Sequence, residues 1–399
     1  MVDETVRDII PSWEEICRGD TTDVYFPRTM DILRKLGRDR LPLVMEGYVK
    51  RFPAGYGYAV LAGMDEMLAL LAGRGVTVRA MPEGTIFFPG EPVFSVEGPY
   101  GEFCEMETAM LGLLCQASGI ATKAARLKTA GGDRPLMSFG ARRMHPALST
   151  LIDRNAFIGG ADSVSAVRSA RYLGEPPSGT MPHALVLAVG DTVEAMRAFD
   201  ETVEAGVPRV CLVDTLQDEK FEALRVAEAL GSRLAAVRLD TPASRRGDFR
   251  WILQELRWEL DLRGFSHVRL YVSGGLDEPD LEALRDVVDG FGVGTCLSNA
   301  PTIDFALDIV EIEGAPFAKR GKCSGVKETL HCPACGARRV VPAGVATAAC
   351  PCGAGPMTPL LSVALRDGVL QAPPRPFREI RAAVLAQVDK IQSGSERKA

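Results

Sequence analysis

A strand–helix rhythm that begins near residue 134 is the feature that most constrains the fold of this chain. Apolar runs alternate with amphipathic stretches at a spacing of roughly 20–33 residues, which is typical of successive strand–helix units around a parallel sheet. The predicted strands are PLMSF (135–139), AFIGG (156–160), ALVLAV (184–189), RVCLVD (209–214), LAAVRLD (234–240), VRLYVSGG (268–275) and FGVGT (291–295). This succession favours an irregular parallel α/β barrel over an open doubly wound sheet, because no glycine-rich dinucleotide loop follows the first strand.

The flanking regions have a different pattern. Residues 76–98 break into short apolar runs cut by proline and glycine, which predicts antiparallel strands with tight turns. We therefore expect an N-terminal α+β domain over residues 1–128, the barrel over 129–310, and a C-terminal segment over 311–399. The last strand and helix of that segment are expected to pack back on the N-terminal domain.

Charge and hydropathy exclude several classes of protein. The formal net charge is -6, which argues against general nucleic-acid binding but allows a local basic pocket. No apolar run approaches the roughly 20 residues that span a bilayer. The start of the chain, MVDETVRDIIPSWEEI, lacks the order of charges in a signal peptide. A cytoplasmic protein without nucleic-acid or membrane partners is predicted.

Polar and glycine-rich residues follow the predicted barrel strands, at the edge where active sites of such barrels lie. They include Arg142, Asp214, Asp240, Ser273-Gly274-Gly275 and Gly292-Val293-Gly294-Thr295. Ordinary turn chemistry explains any one of these loops, but several in register favour a functional site. The two glycine-rich loops predict a phosphate site, because glycine lets backbone N–H groups approach an anion and a hydroxyl adds a donor.

Arg238 and Asp240 share one face of their strand, opposite the apolar face of Val237 and Leu239. Both are therefore expected to point into the barrel. A buried arginine needs an anionic partner, and that partner is either an internal aspartate (Asp240 or Asp214) or an anionic substrate group. Asp214 and Asp240 could bind ribose hydroxyls, hold Mg²⁺ or stabilise a cationic transition state. Capping of the following helix is the structural alternative for Asp214.

Four late cysteines form a separate cluster. Cys332-x-x-Cys335 and Cys350-x-Cys352 enclose fourteen residues, a spacing typical of a closed, structural Zn²⁺ site over about residues 328–356. Redox thiols and an iron–sulfur cluster are the alternatives. A zinc ribbon that binds nucleic acid is the alternative of another functional class, although Arg338 and Arg339 are the only cations between the cysteine pairs.

Twelve short motifs in order resemble the nicotinate phosphoribosyltransferases and, more distantly, the quinolinate enzymes. They are Thr22-Asp23-Val24-Tyr25, Arg51-Phe52-Pro53, Pro82-Glu83-Gly84-Thr85, Glu107-Thr108, Ala121 to Arg126, Phe139 to Arg143, Gly159 to Asp162, Gly179-Thr180-Met181-Pro182-His183, Val213-Asp214-Thr215, Arg238-Leu239-Asp240, and the two glycine-rich loops. The cysteine cluster points to a zinc-containing, archaeal-like branch.

The resemblance implies a fold and a reaction. The fold is a β-sandwich-like N-terminal domain with an irregular barrel, assembled as a homodimer or higher homo-oligomer. The reaction joins nicotinate to 5-phosphoribosyl 1-pyrophosphate with Mg²⁺, coupled to ATP hydrolysis in NAD biosynthesis. Tyr25, supplied across the subunit interface, would stack on the pyridine ring, and Arg142 would contact an anionic group. Thr180 and Arg238 would bind nicotinate, and the glycine-rich loops would hold the 5-phosphate.

His183 would be the histidine that ATP phosphorylates. Two departures from the family pattern bear on this coupling. Leu239-Asp240-Thr241 replaces a compact L-D-S-G-D, and Pro182 replaces a small residue before His183. Quinolinate phosphoribosyltransferase, which also decarboxylates, is the close alternative. It needs a richer cationic pocket and gives the His183 motif no purpose, whereas a nicotinamide enzyme would not need Arg238.

Overall fold

The computed structural model describes residues 9–345 and 347–394. The chain divides into two compact units, Met1–Thr122 with Ala300–Ala399 and Lys123–Asn299. Among the helices in the described ranges, none combines the length and the apolar character needed to cross a membrane.

The elements are numbered in chain order. The helices are α1 (Trp13–Arg18), α2 (Tyr25–Lys35), α3 (Met64–Leu71), α4 (Glu107–Gly131), α5 (Ser149–Gly159), α6 (Val167–Leu173), α7 (His183–Val189), α8 (Thr192–Thr202), α9 (Glu219–Leu230), α10 (Ala243–Arg246), α11 (Phe249–Leu262), α12 (Glu278–Leu284), α13 (Thr295–Ser298) and α14 (Phe377–Gln392). The strands are β1 (Pro42–Val49), β2 (Ala59–Val60), β3 (Thr77–Ala80), β4 (Ile86–Phe87), β5 (Pro92–Pro99), β6 (Leu136–Ser138), β7 (Ser163–Val164), β8 (Val210–Leu212), β9 (Ala236–Leu239), β10 (Arg269–Val272), β11 (Gly290–Val293), β12 (Phe305–Ile312), β13 (Ala315–Pro316), β14 (Lys327–His331), β15 (Arg338–Pro342), β16 (Ala348–Ala349), β17 (Pro356–Pro359), β18 (Ser362–Arg366) and β19 (Val369–Leu370).

The unit of residues 123–299 is built on a parallel sheet. Its six strands lie in the order β7-β6-β11-β10-β9-β8, and each neighbouring pair is parallel. Strands β8 and β11 are buried throughout, as expected where helices cover a parallel sheet. The predicted α/β class is confirmed. The irregular barrel takes the form of a half-barrel, whose ladder ends at β7 and β8 within the described residues.

Two predicted strands, residues 156–160 and 184–189, are wrong, because both stretches belong to helices. The first is the end of α5, whose residues 152–159 are all buried, including the polar Asp153, Arg154 and Asn155, so the sequence shows no separate solvent-facing side from which a helical period could be recognised. The second is α7, on which the apolar Leu187 remains 62% exposed. Both helices are followed by a glycine with positive φ, Gly160 (127°) and Gly190 (92°), which is a common way to end a helix.

The other unit contains a seven-stranded sheet in the order β13-β12-β1-β5-β3-β18-β19. All its pairs are antiparallel, including β12 with β1 and β18 with β3, so segments far apart in sequence complete one sheet. Strands β14 to β17 form a smaller sheet that carries the cysteine cluster. The α+β character expected of this region is confirmed.

A glycine in the centre of the large sheet allows an aromatic ring to lie flat against the backbone. Gly47 of β1 is opposite Phe94 of β5, and a Cβ at Gly47 would lie only 1.9 Å from Cε1 of that buried ring. Neither the ring nor the strand can move freely, because β1 pairs on its other edge with β12.

We expect Gly47→Ala to lower the free energy of unfolding by about 1–3 kcal/mol or more, since the added methyl overlaps the Phe94 ring. Urea denaturation measures this change. Gly112→Ala is the matched control, because Gly112 lies in α4 with open space at its Cβ position, where alanine is expected to stabilise by roughly 0.5–1 kcal/mol. Equal stability of the two variants would contradict the packing argument.

Candidate active site and candidate metal centre

A cavity of about 360 Å³ lies at the carboxyl edge of the half-barrel. It gathers side chains and turns from segments spread over more than 150 residues. Its lining comprises Phe139, Ala141, Arg142, Arg143, Ser165, Gly179, Thr180, Met181, Pro182, Arg238, Asp240, Ser273, Gly274, Gly275, Gly292, Gly294 and Thr295. The structure thus brings together Arg142, Thr180, Arg238, Asp240 and both glycine-rich loops.

Arg238 is the cationic side chain at the base of this cavity. It leaves the carboxyl half of β9, and its guanidinium carbon lies 5.7 Å from the centre of the Phe139 ring. Its buried Nε has no hydrogen-bond partner in the described part of the chain. Burial lowers the pKa of Arg238, against the opposing effect of Asp240 and Asp214. The guanidinium is therefore an incompletely paired cation facing a cavity.

An acid–histidine group adjoins the cavity through Asp240, whereas its other members, His183 and Asp214, are not among the lining residues. Nε2 of His183 lies 3.6 Å from Oδ2 of Asp240 and 3.9 Å from Oδ2 of Asp214. Nδ1 of His183 is within hydrogen-bond distance of the Thr215 hydroxyl, at 2.9 Å. Asp240 also accepts a hydrogen bond of 2.5 Å from the Ser273 hydroxyl. This network joins four segments, namely the start of α7 and the residues that follow β8, β9 and β10.

Asp214 is the most buried member of that group. Its side chain is 2% exposed, and neither carboxylate oxygen accepts a hydrogen bond from another side chain within the residues described. Burial raises the pKa of Asp214, although the nearby His183 acts in the opposite direction. The ionised form of this carboxylate is consequently unfavourable in the protein alone.

The two glycine-rich loops bring backbone close to the cavity. Gly274 and Gly275 both have positive φ, at 93° and 71°, a conformation that other residues rarely adopt. Gly292 is required because there is no space for a larger residue, since a Cβ there would lie 2.3 Å from Cε2 of Phe139. Thr295 begins the short helix α13 directly after the second loop.

Sequence reasoning missed two residues of the site. Ser165 lines the cavity, and Arg246 bonds to the backbone of the first glycine-rich loop. Arg143 also lines the cavity, and the sequence already shows it beside Arg142 as a second cation at a strand end. The Arg245-Arg246 pair was visible only as a departure from the family motif, and its contact across 27 residues left no periodic signal.

Tyr25 is placed elsewhere. It begins α2 in the unit of residues 1–122 and 300–399, is 56% exposed, and donates a hydrogen bond of 3.3 Å to Asp23. It is not among the residues that line the cavity.

The four late cysteines converge as a candidate metal centre. The Sγ atoms of Cys332, Cys335, Cys350 and Cys352 lie within 4.8 Å of one another. Two of the separations are 3.8 Å (Cys332 to Cys352) and 3.5 Å (Cys335 to Cys350). Tetrahedral Zn²⁺ with Zn–S bonds of about 2.3 Å places its sulfurs about 3.8 Å apart. The donor set therefore fits a single tetrahedral metal ion.

We expect Asp214→Asn to raise the free energy of unfolding near neutral pH, because asparagine removes the cost of keeping a buried carboxylate ionised. The folded-state pKa of Asp214 is raised, so its contribution to stability is full below the ordinary aspartate pKa and is lost as the pH rises through the folded-state value. The advantage of asparagine should accordingly shrink as the pH falls and the wild-type carboxylate becomes protonated. Urea denaturation from about pH 3.5, below the ordinary aspartate pKa of about 3.9, to about pH 7 measures this change, and a pH-independent difference would contradict the assignment.

Comparisons with known proteins place the chain in a family. Residues 23–118 match the model for the N-terminal domain of quinolinate phosphoribosyl transferase, and residues 120–308 match that for its C-terminal domain. The nicotinate phosphoribosyltransferase pncB1 of Mycobacterium tuberculosis is 32% identical over 353 residues, covering 78% of each chain. The nicotinate phosphoribosyltransferase of Bacillus subtilis is also 32% identical, over 73% of this chain and 66% of its own length.

Comparisons with solved structures identify the same fold. The crystal structure of nicotinate-nucleotide pyrophosphorylase from Pyrococcus furiosus superposes with a TM-score of 0.94 at 50% identity, covering 97% of this chain and 99% of that one. Human nicotinic acid phosphoribosyltransferase superposes with a TM-score of 0.74 at 21% identity, over 94% and 95% of the two chains, which supports the fold. The chain belongs to the nicotinate phosphoribosyltransferase family, within the quinolinate phosphoribosyl transferase fold.

Proposed function

We propose that this protein forms nicotinate mononucleotide and pyrophosphate from nicotinate and 5-phosphoribosyl 1-pyrophosphate. The observation that carries the proposal is the incompletely paired Arg238 in the same cavity as the carboxylate of Asp240 and two glycine-rich turns. One substrate offers a carboxylate and an aromatic ring, and the other offers phosphates and a ribose. The cavity has chemically matching groups for each.

Arg238 would recognise the carboxylate of nicotinate. An arginine binds a carboxylate through two parallel hydrogen bonds, and such charge-assisted bonds are stronger inside a dry cavity. The Phe139 ring beside the guanidinium and the Thr180 hydroxyl complete a small pocket for a flat acid. Nicotinamide has no charge to compensate this buried cation.

The phosphoribosyl group would lie between the glycine-rich turns and the acidic group. Backbone N–H groups of the turns would bind the 5-phosphate. As the bond from the anomeric carbon to pyrophosphate breaks, that carbon gains positive charge, which Asp240 would stabilise, helped by Asp214. The lone pair of the pyridine nitrogen forms the new bond, so no general base is needed and catalysis is positioning and electrostatics.

Mg²⁺ and ATP are the proposed co-reactants. Oxygen ligands suit Mg²⁺, and the carboxylates of Asp214 and Asp240 could hold it; when bound, the ion would balance the charge on pyrophosphate. His183 is the proposed acceptor of the γ-phosphate of ATP. If its Nδ1 donates to Thr215, then Nε2 carries the lone pair that would form the bond to phosphorus as ADP leaves.

Tyr25 is proposed to act from a second copy of the chain. Its ring is exposed and lies in the other unit, so it is available to a neighbouring subunit. The family resemblance makes it the group that stacks on the pyridine ring in a homodimer or larger homo-oligomer.

Quinolinate is the alternative substrate that a specific observation favours. Arg142 and Arg143 line the same cavity as Arg238, and three cations could bind two carboxylates. The deciding experiment incubates the full-length protein with Mg²⁺, 5-phosphoribosyl 1-pyrophosphate and one of nicotinate, quinolinate or nicotinamide, with and without ATP. Product from nicotinate supports the proposal, and mononucleotide from quinolinate alone would overturn it.

We expect Arg238→Ala to raise the KM for nicotinate by about ten- to a hundredfold, because a charge-assisted pair to the substrate carboxylate is lost. The KM for 5-phosphoribosyl 1-pyrophosphate should change much less. Arg263→Ala, an exposed arginine at the end of α11, is the control and should behave as wild type. Unchanged nicotinate kinetics in the Arg238 variant would show that this arginine is only structural.

We also propose that the cysteine cluster holds one structural Zn²⁺ per chain. Metal analysis should find zinc in the purified protein, and Cys350→Ser should lose it and lower the melting temperature by at least about 5 °C. Cys323→Ser is the control, since Cys323 is exposed and outside the cluster. Iron with a visible absorption band, or a metal-free protein of the same stability, would refute the zinc assignment.

A further inference from the structure

The carbonyl groups of the turn Ser273–Gly275 are hydrogen-bonded by one arginine side chain. Nη2 of Arg246 donates to the carbonyl oxygen of Ser273 at 3.1 Å and also to the carbonyl oxygen of Gly274. Two consecutive carbonyl groups of the turn therefore point toward the same guanidinium.

The planar peptide bond converts this contact into an orientation of N–H groups. In a trans peptide the C=O and the following N–H point in opposite directions. With both carbonyls facing Arg246, the N–H groups of Gly274 and Gly275 face away from it. Ser273, Gly274 and Gly275 line the cavity, whereas Arg246 does not. The carbonyl side of the turn is thus occupied by protein, and the two N–H groups are left for a ligand.

The glycines make this orientation attainable. Both have positive φ, and a Cβ on Gly274 would lie 3.0 Å from the carbonyl oxygen of Asp240 and 3.2 Å from Nη2 of Arg246. Successive N–H groups that point to one side form a concave anion site. The loop sequence supplies the conformation, but it does not by itself fix which way the peptide groups turn.

Arg246 is itself fixed in place. Its Nε donates to the carbonyl oxygen of Thr241 at 2.7 Å, and its guanidinium carbon lies 4.9 Å from the centre of the Phe249 ring. One side chain therefore links the segment after β9 to the turn after β10. The planar guanidinium of arginine can donate to Thr241 and to the turn at the same time. A lysine ammonium on its flexible stem does this less well.

We propose that Arg246 is a positioning residue for phosphate binding: it turns the N–H groups of Gly274 and Gly275 into the cavity, where they bind the 5-phosphate of the ribosyl substrate. The identity of the ligand rests on the proposed function. Arg246 touches no substrate in this scheme and acts only through the two peptide groups.

The test compares Arg246→Ala, Arg246→Lys and the control Arg245→Ala, whose side chain is exposed on the same short helix α10. Ribose 5-phosphate is titrated into each full-length variant by calorimetry, and steady-state kinetics give the KM for each substrate. We expect Arg246→Ala to weaken ribose 5-phosphate binding by about tenfold or more. The KM for 5-phosphoribosyl 1-pyrophosphate should rise by a similar factor, and the KM for nicotinate should stay within about twofold.

Arg246→Lys should be intermediate, and Arg245→Ala should match wild type. Unchanged ribose 5-phosphate affinity in Arg246→Ala, or an equal loss in Arg245→Ala, would overturn the proposal, as would a parallel rise in the nicotinate KM. If the alanine variant does not fold, the lysine variant decides: weaker phosphate binding at an unchanged unfolding midpoint supports the role, and unchanged binding refutes it. The titration needs no turnover, so a wild-type protein that makes no nicotinate mononucleotide would refute the proposed function separately.

Discussion

The burial of the Arg238 guanidinium is the constraint on which the candidate site depends. Arginine keeps its charge in proteins, and taking an ion out of water costs several kcal/mol unless partners replace the lost hydration. Arg338 shows the usual solution, because its Nη1 donates to the carboxylate of Glu91 at 3.2 Å, although its Nε, like that of Arg238, has no hydrogen-bond partner in the described residues. Arg238 differs in that it lines a cavity and has no carboxylate within ion-pair distance among the residues that the structure describes. An anion that enters the cavity supplies the missing partner, so the cost of burial in the free protein favours binding.

The acidic group beside the cavity is also poorly solvated, but its charge is opposite to that of Arg238. Asp214 is buried beside His183 and Asp240, and burial raises its pKa. A cationic group or transition state placed here is stabilised by carboxylates that are poorly solvated beforehand. The site thus contains a cation, Arg238, and a carboxylate, Asp214, that each lack hydrogen-bond partners in the described residues. This distribution of charge suits a reaction in which an anionic acceptor attacks a carbon that gains positive charge.

Much of the fold and of the candidate site could be predicted from the sequence, and the predictions that were wrong failed for physical reasons. The strand positions of Arg238 and Asp240 followed from alternation alone, and the convergence of the glycine-rich loops followed from the shared edge of parallel strands. The end of the buried helix α5 was mistaken for a strand, because its polar residues Asp153, Arg154 and Asn155 are buried with its apolar ones, so no alternation of polar and apolar faces marks the helix. Arg246 was missed for another reason, since its contact joins segments 27 residues apart and no local pattern encodes it.

The contacts of Arg246 also explain why the glycine-rich turns alone are an incomplete description of the proposed phosphate site. A glycine removes the barrier to an unusual backbone conformation, and it equally permits the reverse orientation of the peptide group. What selects one orientation is the partner on the carbonyl side, here Arg246 bonded to two successive carbonyls. Because Arg246 is anchored to Thr241, just after Asp240, the same contact fixes the turn relative to the acidic group. Arg246 and the hydrogen bond from Ser273 to Asp240 together fix the distance between the proposed phosphate site and the carboxylates, and the ribose that would bridge them must fit that distance.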